Sequence, residues 1–560
     1  MTRIVLAAAT AAGRRLAADL ASHLGGHLHP GTIRDAISAA WQRADQLVLV
    51  MATGAAVRLL ADHLRDKDTD PGVVCVDDAG RFAVALVGGH ERGANALAQR
   101  VAVHLGATPV ITTASESHDL PALSALGSHF GLRVDPDSDL PAVGGALLGG
   151  GPVHLLRERP WPLGPLPDVI EVDTPVPPLL WVTDRSVVSP RPAVVYRPPT
   201  LVVGVGASSG VTAEEVIALI DSALADAGLS PGSVACLSTL DLKADEEGIV
   251  EAAATRGWPL RTLPAERLAA IPVPNPSAVV AAAVGTPSVA EAAALHLGGE
   301  LLIEKRRGPM ATVAIARRPT RGHLALVSLG PGADDLLPPR ARVALARAEI
   351  VVGYHGYLEL ARPHLARGAR LEAFPLGDET ARAQRCLELA RTGHAVALVS
   401  SGDVGVYAMA SPTLERAEPD VDVEIVPGVT AAQAAAALLG APLGHDHCAI
   451  SLSDLLTPWD VIRHRVTAAA IADFVVAIYN PRSPARHWQL DEARRILLDH
   501  REPDTPTGVV HDAFRPRQRV GLTTLGKLDV SDVDMTTVVL VGSSRTRVVG
   551  GRMVTPRGYT

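Results

Sequence analysis

The clearest pattern along the chain is a run of four apolar residues, Val396–Val399, that stops at the polar segment Ser400–Asp403. A continuous apolar run is typical of a strand that is covered on both faces of a sheet. Two glycines, Gly402 and Gly405, bracket Asp403, so the backbone can approach a ligand closely beside a fixed carboxylate acceptor. Ligands of open α/β sheets bind at the carboxyl ends of strands, and this loop is predicted to lie there. An ordinary tight strand-to-helix turn is the alternative.

Two further strand-to-loop transitions follow the same pattern. The run Ala325–Leu329 leads into Gly330-Pro331-Gly332, and Val423–Val426 leads into Pro427-Gly428-Val429-Thr430. Thr430 is predicted to cap the alanine-rich helix that follows. None of the three turns has the Gly-x-Gly-x-x-Gly spacing of a dinucleotide-binding loop, which argues against a Rossmann-type cofactor site.

Short apolar runs in the first 120 residues predict a small α/β domain. Residues 3–9 and 46–50 have strand patterns, and residues 73–84 are predicted to form a β-hairpin with an Asp-Ala-Gly-Arg turn. Thr53 is predicted to cap a helix whose N-terminus attracts an anion.

Residues 200–318 are predicted to form another unit of this kind, beginning with the strand Leu201–Gly206. Thr212 and Glu215 have the spacing of a capping box, in which each side chain binds a backbone N–H of the first helical turn. Ser288 or Thr286 is predicted to cap a later helix in the same unit.

These patterns predict an α/β, multidomain protein in which small α/β units precede a larger region with two α/β lobes. The predicted domains are residues 1–120, 121–199, 200–318 and 322–560. Prolines are densest from residue 160 to residue 199, which predicts a semi-rigid linker after a small middle module. The last region is predicted to split near residues 441–444, with a cleft between its lobes.

The amino-acid composition argues against a membrane-spanning, disulfide-rich or nucleic-acid-binding protein. The 560 residues are 47% hydrophobic, and no run of 18 apolar residues occurs, so we expect buried cores and no membrane span. The four cysteines are far apart and form no disulfide or metal-ligand pattern. A net charge of −8 argues against non-specific nucleic-acid binding. The chain starts with a strand pattern rather than a signal peptide, so we expect a soluble, cytoplasmic protein.

The three glycine-containing turns, in this order and spacing, resemble the tetrapyrrole methylase family over residues 322–545. This family moves a methyl group from S-adenosylmethionine to corrin precursors. Tyr479–Ser483 and Pro427–Gln433 are most similar to precorrin-3B C(17)-methyltransferase. The resemblance implies a tetrapyrrole substrate, and we also expect a homodimer formed through this half. It further implies that the cofactor S-adenosylmethionine is bound by Pro331, Gly332, Asp403, Val404, Gly405, Thr430, Ala431, Tyr479 and Asn480.

The family reaction also contracts the macrocycle, which requires proton transfers. The candidates are Asp454, His445, His447 and Arg482, and the sequence does not choose among them. His445 and His447 share one loop but have no further ligands beside them, so we expect no metal bound by the protein itself.

Residues 1–317 resemble a second family, CbiG, which is cobalt-precorrin-5A hydrolase. The resemblance is carried by Thr53–Arg58, Gly89–Asn95, Leu242–Gly248 and Val284–Ala294, and its most specific signals are Leu242–Glu246 and Val284–Ala293. The resemblance implies that a lactone on a cobalt corrinoid is opened and that acetaldehyde is released. In this chain one segment differs: Ala207-Ser208 stands where the family usually has a Cys-Arg pair. The catalytic candidates are Lys243, Glu246, Asp245 and His90, and the candidates for binding substrate carboxylates are Arg58, Arg81 and Lys243.

Two main hypotheses follow. In the first, the chain is a bifunctional corrin-pathway enzyme, and we expect its methylase half to prefer a cobalt-bearing substrate because the hydrolase substrate carries cobalt. In the second, the first half binds corrinoid without turning it over, as the Ala207-Ser208 difference suggests. A different tetrapyrrole or ring position stays open, since shared cofactor loops say little about regiochemistry.

Overall fold

The computed structural model describes residues 2–66, 69–89, 92–113, 120–484 and 486–559. The chain divides into two compact units, unit 1 (Met1–Pro319) and unit 2 (Thr320–Thr560). Both units are α/β, as the sequence predicts. In the described part of the chain no single helix has the length and apolar composition to cross a membrane, and only Ala278–Val284 and Val289–Leu295, bent by 80°, meet that test as a pair.

The first sheet of unit 1 has six strands: β1 (Ile4–Ala8), β2 (His27–Leu28), β3 (Gln46–Val50), β4 (Gly72–Val76), β5 (Phe82–Val87) and β6 (Thr108–Val110). Its helices are α1 (Ala11–Leu24), α2 (Ile33–Ala40), α3 (Thr53–Leu60) and α4 (Ala94–Leu105). The order is β2-β1-β3-β4-β5-β6, and β4 and β5 form the predicted hairpin. The prediction that Thr53 caps α3 is wrong, because the helix already includes Thr53 and Ala52 takes the cap position.

The second sheet of unit 1 contains β7 (Arg133–Val134), β8 (Val153–Arg157), β9 (Val169–Glu171), β10 (Leu179–Val182) and β11 (Ala193–Arg197), with helix α5 (Leu140–Leu148). Its order is β7-β11-β10-β8-β9. The proline-rich stretch interpreted as a linker therefore contains three strands, and β10 and β11 are buried throughout. Pro178 and Pro192 directly precede these two strands, where the fixed φ of proline suits an extended chain.

The third sheet of unit 1 contains β12 (Leu201–Ala207), β13 (Val234–Leu240), β14 (Leu260–Leu263), β15 (Glu300–Arg307) and β16 (Ala311–Arg317) in the order β14-β13-β12-β16-β15. Its helices are α6 (Ala213–Asp226), α7 (Glu247–Arg256), α8 (Ala265–Ala269), α9 (Ala278–Val284) and α10 (Val289–Leu295).

Two cap predictions in this domain are only half right. Thr212 accepts a hydrogen bond from the Glu215 N–H, but the Glu215 carboxylate accepts from Met310 N and Ala311 N and does not close the capping box. Ser288 occupies the cap position of α10, yet its hydroxyl bonds Glu291 Oε2 at 3.2 Å and no backbone N–H. The Glu215 carboxylate thus binds a distant segment of the chain, and the Ser288 hydroxyl binds a side chain in the first turn of its own helix.

Gly204 in β12 sets how closely α10 packs on the sheet. A Cβ at this position would lie 1.9 Å from Ala290 O and 2.5 Å from Ala294 N. We therefore expect Gly204→Ala to destabilise unit 1 by about 1–3 kcal/mol, since the helix must move away from the strand. Calorimetric melting of the full chain measures this. Gly145→Ala in α5 is the control: a Cβ there meets nothing within 4 Å, so its melting temperature should hold or rise.

Unit 2 begins with lobe 1, a five-stranded parallel sheet in the order β19-β18-β20-β17-β21. Its strands are β17 (Gly322–Ser328), β18 (Ile350–Tyr354), β19 (Arg370–Phe374), β20 (Ala395–Ser400) and β21 (Val421–Val426). Its helices are α11 (Pro339–Arg347), α12 (His355–Ala361), α13 (Glu379–Arg391) and α14 (Ala410–Leu414). Every residue of β20 is buried, as the apolar run predicts.

Lobe 2 follows helix α15 (Ala431–Leu439), which packs against its sheet. A small sheet contains β22 (Gly440–Ala441), β28 (Arg547–Val549) and β29 (Arg552–Val554). The main sheet, in the order β23-β24-β27-β25-β26, contains β23 (His447–Ser451), β24 (Val475–Tyr479), β25 (Pro506–His511), β26 (Arg519–Thr524) and β27 (Thr537–Val541). Helices α16 (Trp459–Ile471) and α17 (Gln489–Leu498) cover its other face. The register places Ser451 beside Tyr479 and His511 beside Thr537 at one edge of this sheet.

Candidate functional site

Two glycine loops of lobe 1 lie side by side at the carboxyl ends of β17 and β20. Gly330 N donates to Gly402 O at 3.1 Å, and Gly402 N donates to Gly330 O at 2.7 Å. Both glycines have φ near the left-handed region, 65° and 69°. That backbone shape suits glycine, so the sequence choice at both positions permits the paired loops.

Asp403 ties these loops to a third one. Its Oδ1 accepts from Gly405 N at 2.8 Å and its Oδ2 accepts from Gly428 N at 2.9 Å. Gly428 leaves no room for a side chain, because a Cβ there would lie 2.5 Å from the Ser328 Cβ. Asp403 therefore fixes the relative position of the loops after β20 and β21.

The start of α15 connects these loops to lobe 2. Thr430 caps α15 in a capping box with Gln433, as predicted for its hydroxyl. Ala432 N donates to the Tyr479 hydroxyl at 3.0 Å, and the Tyr479 ring lies 5.1 Å from that of Tyr407. Because Tyr479 ends β24, this contact brings the edge of the lobe 2 sheet to the glycine loops.

Arg515 is part of this site and was missed in the sequence. Its Nε donates to Pro331 O at 2.5 Å, and a terminal nitrogen donates to Ser401 Oγ at 2.7 Å. The guanidinium also lies against Gly332, where an added Cβ would come within 2.8 Å of Nε. The available signal was a polar, arginine-rich segment directly after the buried end of β25.

Unusual backbone conformations concentrate in the loops of this site. Tyr407, Asn480, Asp512 and Phe514 have positive φ values of 52°, 48°, 42° and 57°. Each such conformation costs about 1–3 kcal/mol in a residue with a side chain, and it persists where the surroundings impose it. The Asn480 side chain is held by a hydrogen bond to Ser451 Oγ at 3.0 Å.

The site thus brings together the predicted cofactor-binding residues of all three turns and of β24. These are Pro331, Gly332, Asp403, Val404, Gly405, Thr430, Ala431, Tyr479 and Asn480. They are linked by Gly330–Gly402, Asp403–Gly428 and Tyr479–Ala432 hydrogen bonds. Whether each one contacts a cofactor stays a prediction.

The four proton-transfer candidates occupy different surroundings. Asp454 accepts a hydrogen bond from Gln489 at 2.8 Å, and Arg482 donates to Val530 O at 2.6 Å. His445 lies on an exposed loop and His447, also exposed, begins β23; His447 Nδ1 is 3.2 Å from His445 O. Arg482 alone of the four lines a described cavity.

In unit 1, Lys243 and Glu246 form one cluster at the carboxyl edge of the third sheet. Lys243 Nζ donates to Glu246 Oε2 at 2.7 Å, and Gly210 N donates to Glu246 Oε1 at 2.6 Å. The hydrogen bond from Lys243, followed by that from Gly210, holds the pKa of Glu246 below its usual value. Asp245 beside them is exposed, and His90 lies outside the described residues.

Arg58 in α3 and Arg81 in the turn between β4 and β5 are both exposed. The Arg58 guanidinium donates to Gly54 O at 2.9 Å in its own helix. Arg81 Nε lies 3.5 Å from the Asp77 carboxylate, and its guanidinium lies 5.7 Å from the Phe82 ring. These described contacts are local and do not join the two arginines to the Lys243–Glu246 cluster.

Comparison with known proteins decides the family. The family model Tetrapyrrole (Corrin/Porphyrin) Methylases matches residues 323–529. A probable cobalt-factor III C(17)-methyltransferase from Salmonella typhimurium is 48% identical over 240 residues, which cover 42% of this chain and 99% of that protein. The chain belongs to the tetrapyrrole methylases. A precorrin-3B C(17)-methyltransferase from Sinorhizobium is 43% identical over 234 residues, covering 41% of this chain and 91% of that protein.

A longer relative and a solved structure also match unit 2. A cobalt-factor III methyltransferase from Priestia megaterium is 43% identical over 246 residues, and this tetrapyrrole methylase spans only 45% of that protein's length. The crystal structure of the methyltransferase CobJ has 42% identity and a TM-score of 0.41, covering 42% of this chain and all of that one.

Unit 1 matches three further family models. Cobalamin synthesis G N-terminal matches residues 35–116, Cobalamin biosynthesis central region matches 121–198, and Cobalamin synthesis G C-terminus matches 201–316. This tetrapyrrole methylase therefore carries regions similar to a second group of cobalamin biosynthesis proteins.

Tetrapyrrole methylases use S-adenosylmethionine as the methyl donor. The loops of this methylase fit such a molecule. Gly332 and Gly402 have positive φ and no side chain, and Gly405 is exposed, so a ligand can approach the backbone of these loops closely. The donor carries no phosphate, and the three loops contain no lysine of the kind that phosphate loops use.

Proposed function

We propose that unit 2 methylates carbon 17 of precorrin-3B or of its cobalt form, with ring contraction. The observation that carries this proposal is the joined set of loops around Asp403, in a unit that covers nearly all of the Salmonella and Sinorhizobium relatives. The names of both relatives specify the same ring position. A different regiochemistry stays the alternative, because the loops hold the donor rather than the macrocycle.

The donor supplies an electrophilic methyl group on a sulfonium, so the residues mainly have to align the two reactants. Holding reactants in attack geometry removes much of the entropic barrier of a displacement. Asp403 keeps two loops in register, and the Tyr479 hydroxyl accepts a hydrogen bond from the first turn of α15. Arg515 joins lobe 2 to Pro331 and Ser401, which sets the separation of the lobes at the site.

The experiment incubates the purified full chain with S-adenosylmethionine and either precorrin-3B or its cobalt form. Mass spectrometry and carbon NMR of the product give the number and position of the new methyl groups. We expect methylation at carbon 17 and a faster rate with the cobalt form, as the names of the Salmonella and Priestia relatives suggest. Methylation at another carbon contradicts the assignment, and a clear preference for the metal-free substrate contradicts the cobalt preference.

We further propose that unit 1 opens the lactone of cobalt-precorrin-5A, with Lys243 and Glu246 at its site. The supporting observation is their ion pair over the Gly210 loop in a region similar to the cobalamin synthesis G family. Lys243 carries one of only a few ammonium groups in a chain whose cations are mostly arginine. A compact ammonium can stabilise the oxyanion that develops when an ester is hydrolysed.

Replacing Glu246 with glutamine is expected to reduce acetaldehyde release from cobalt-precorrin-5A by about tenfold or more. The substitution removes the charge that orients Lys243 and the ionic hydrogen bond to Gly210, and interactions with charged groups contribute about 1.5–3 kcal/mol. Acetaldehyde is measured with the full chain. Glu247→Gln, one residue along and exposed, is the matched control and should keep its rate.

The second candidate for unit 1 is a module that binds corrinoid without turnover. The Ala207-Ser208 difference favours this module. Glu246 also favours it, because both carboxylate oxygens already accept hydrogen bonds, from Gly210 N and Lys243 Nζ, which makes Glu246 a poor base. Corrinoid binding by the wild-type chain without acetaldehyde above the enzyme-free control would decide for this module.

We also infer a homodimer formed through unit 2 and a location in the cytoplasm. The edge strand β26 offers exposed Val520 and Leu522 for such a contact. Sedimentation equilibrium of the full chain tests the dimer, and a monomer at micromolar concentration would contradict it.

A further inference from the structure

A cavity of about 380 Å³ lies in lobe 2, apart from the glycine loops. One wall comes from the segment after β24, with Arg482 and His487. The other comes from the segment before β27, with Val533, Asp534 and Met535. The proposed function assigns no role to this cavity.

The cavity belongs to the edge of the lobe 2 sheet that meets the glycine loops. Tyr479, the last residue of β24, contacts Ala432 at the start of α15, and Arg482 follows three residues later. Thr537 begins β27 opposite His511, and the wall residue Met535 lies two residues before that strand. Both walls are therefore formed by segments that adjoin β24 and β27 at the edge of the sheet that meets the glycine loops.

Among the described residues, neither arginine at the cavity forms an ion pair with a carboxylate, although the charge of Asp529 acts on Arg482. Arg482 donates a hydrogen bond to Val530 O at 2.6 Å. Arg486 is only 8% exposed, and one of its terminal nitrogens meets only the Met535 thioether, at 3.3 Å. A thioether is a weak acceptor, so this nitrogen of the buried guanidinium is poorly satisfied. Burial lowers the pKa of Arg486, and the charge of Asp454 only partly opposes this.

The one carboxylate in the wall is already engaged. Asp534 Oδ1 accepts from Thr536 N, Thr536 Oγ1 and Thr537 Oγ1, each at 2.8 Å. Burial by itself raises the pKa of Asp534, but the hydrogen bonds from Thr537 and Thr536 hold it below its usual value. Asp534 thus organises Thr536 and Thr537, and it has no ion pair with Arg482 or Arg486.

We propose that this cavity binds a peripheral carboxylate of the tetrapyrrole, with the Arg482 guanidinium as its main partner. The planar guanidinium fork matches a carboxylate, and the methylene stem of an acetate or propionate group would pack on Val533 and Met535. Arg486 supports this site from beneath Met535. The inference rests on the proposed function, since it takes the tetrapyrrole as the substrate of unit 2, and it makes Arg482 a residue that positions the macrocycle relative to the methyl donor.

The experiment compares Arg482→Gln with the wild-type full chain in two binding measurements. The first is the Kd of uroporphyrin III, a fluorescent tetrapyrrole octacarboxylate, by fluorescence anisotropy. The second is the Kd of S-adenosylmethionine by calorimetry. We expect the uroporphyrin Kd to rise about tenfold and the S-adenosylmethionine Kd to stay unchanged, because one charge-assisted pair is lost at a site distinct from the glycine loops.

Two matched variants sharpen the result. Arg463→Gln removes an exposed arginine of α16 in the same lobe and should leave both affinities unchanged. Arg482→Lys keeps the charge without the fork and should fall between wild type and Arg482→Gln. Equal uroporphyrin affinity of Arg482→Gln and wild type would overturn the subsite alone. A wild-type chain that binds S-adenosylmethionine but no uroporphyrin and methylates no precorrin would overturn both the subsite and the proposed function.

Discussion

Replacing Asp403 with alanine is expected to weaken S-adenosylmethionine binding about a hundredfold while unit 2 stays folded. The substitution removes the acceptors of Gly405 N and Gly428 N and so releases the loop after β20 from the loop after β21. Hydrogen bonds to a charged group contribute about 1.5–3 kcal/mol each. Loss of about 2.8 kcal/mol of loop preorganisation corresponds to a hundredfold change in Kd.

Calorimetric titration with S-adenosylmethionine measures the effect, and circular dichroism confirms the fold. Asp422→Ala is the matched control, since Asp422 is 74% exposed in its side chain at the opposite end of the same sheet. Asp403→Asn keeps one acceptor oxygen and should lie between the two. An unchanged affinity in a folded Asp403→Ala variant would remove Asp403 from the site.

The strands and turns of unit 2 could be predicted because their signals are local. Four apolar residues before a glycine loop identify β20, and Thr430 before an alanine-rich segment identifies the start of α15. The partner of Asp403 could not be predicted in the same way. It is the backbone of Gly428, 25 residues away, and only the parallel pairing of β17 with both neighbouring strands brings the two loops together.

The role of Arg515 in the site could not be predicted from the sequence. Its partner Pro331 is 184 positions away, and nothing in the local pattern around either residue encodes the contact. The prolines before β10 and β11 led to a wrong prediction of another kind. Their density predicts a linker, but the structure has two buried strands there. Proline disfavours only a donor position in a sheet, so a strand that begins just after one is compatible with the same composition.

Asp184→Ala is expected to destabilise unit 1 by about 3 kcal/mol. The Asp184 side chain is fully buried and accepts from Arg317 Nε at 2.7 Å, Thr200 Oγ1 at 2.8 Å and Arg159 Nε at 3.2 Å. It joins the second sheet to the third, since it follows β10 while Arg317 ends β16. Removing one partner of a buried ion pair leaves the remaining charges uncompensated, and partial exposure of both arginines keeps the loss at the lower end of the usual 3–5 kcal/mol.

Calorimetric melting of the full chain should show the unit 1 transition lowered by roughly 6–12 °C, at about 2–4 °C per kcal/mol for a unit of this size. Asp137→Ala, an exposed carboxylate of the same domain, should melt within about 1 °C of wild type. A melting temperature of Asp184→Ala that matches this control would contradict the assignment of Asp184 as the tie between the two sheets.

The contribution of Asp184 to the stability of unit 1 should decrease in acid. Burial by itself raises the pKa of Asp184, but hydrogen bonds from Arg317 and Thr200 outweigh it and hold the pKa below the ordinary 3.8. A carboxyl group with a depressed folded pKa stabilises the folded state fully above its ordinary pKa and loses that contribution as the pH falls through the folded value. The melting difference between wild type and Asp184→Asn should therefore be constant from neutral pH down to about pH 5 and shrink below about pH 4. Melting curves of both proteins across this range measure it, and a difference that grows in acid would mean that Asp184 is not held ionised by its arginines.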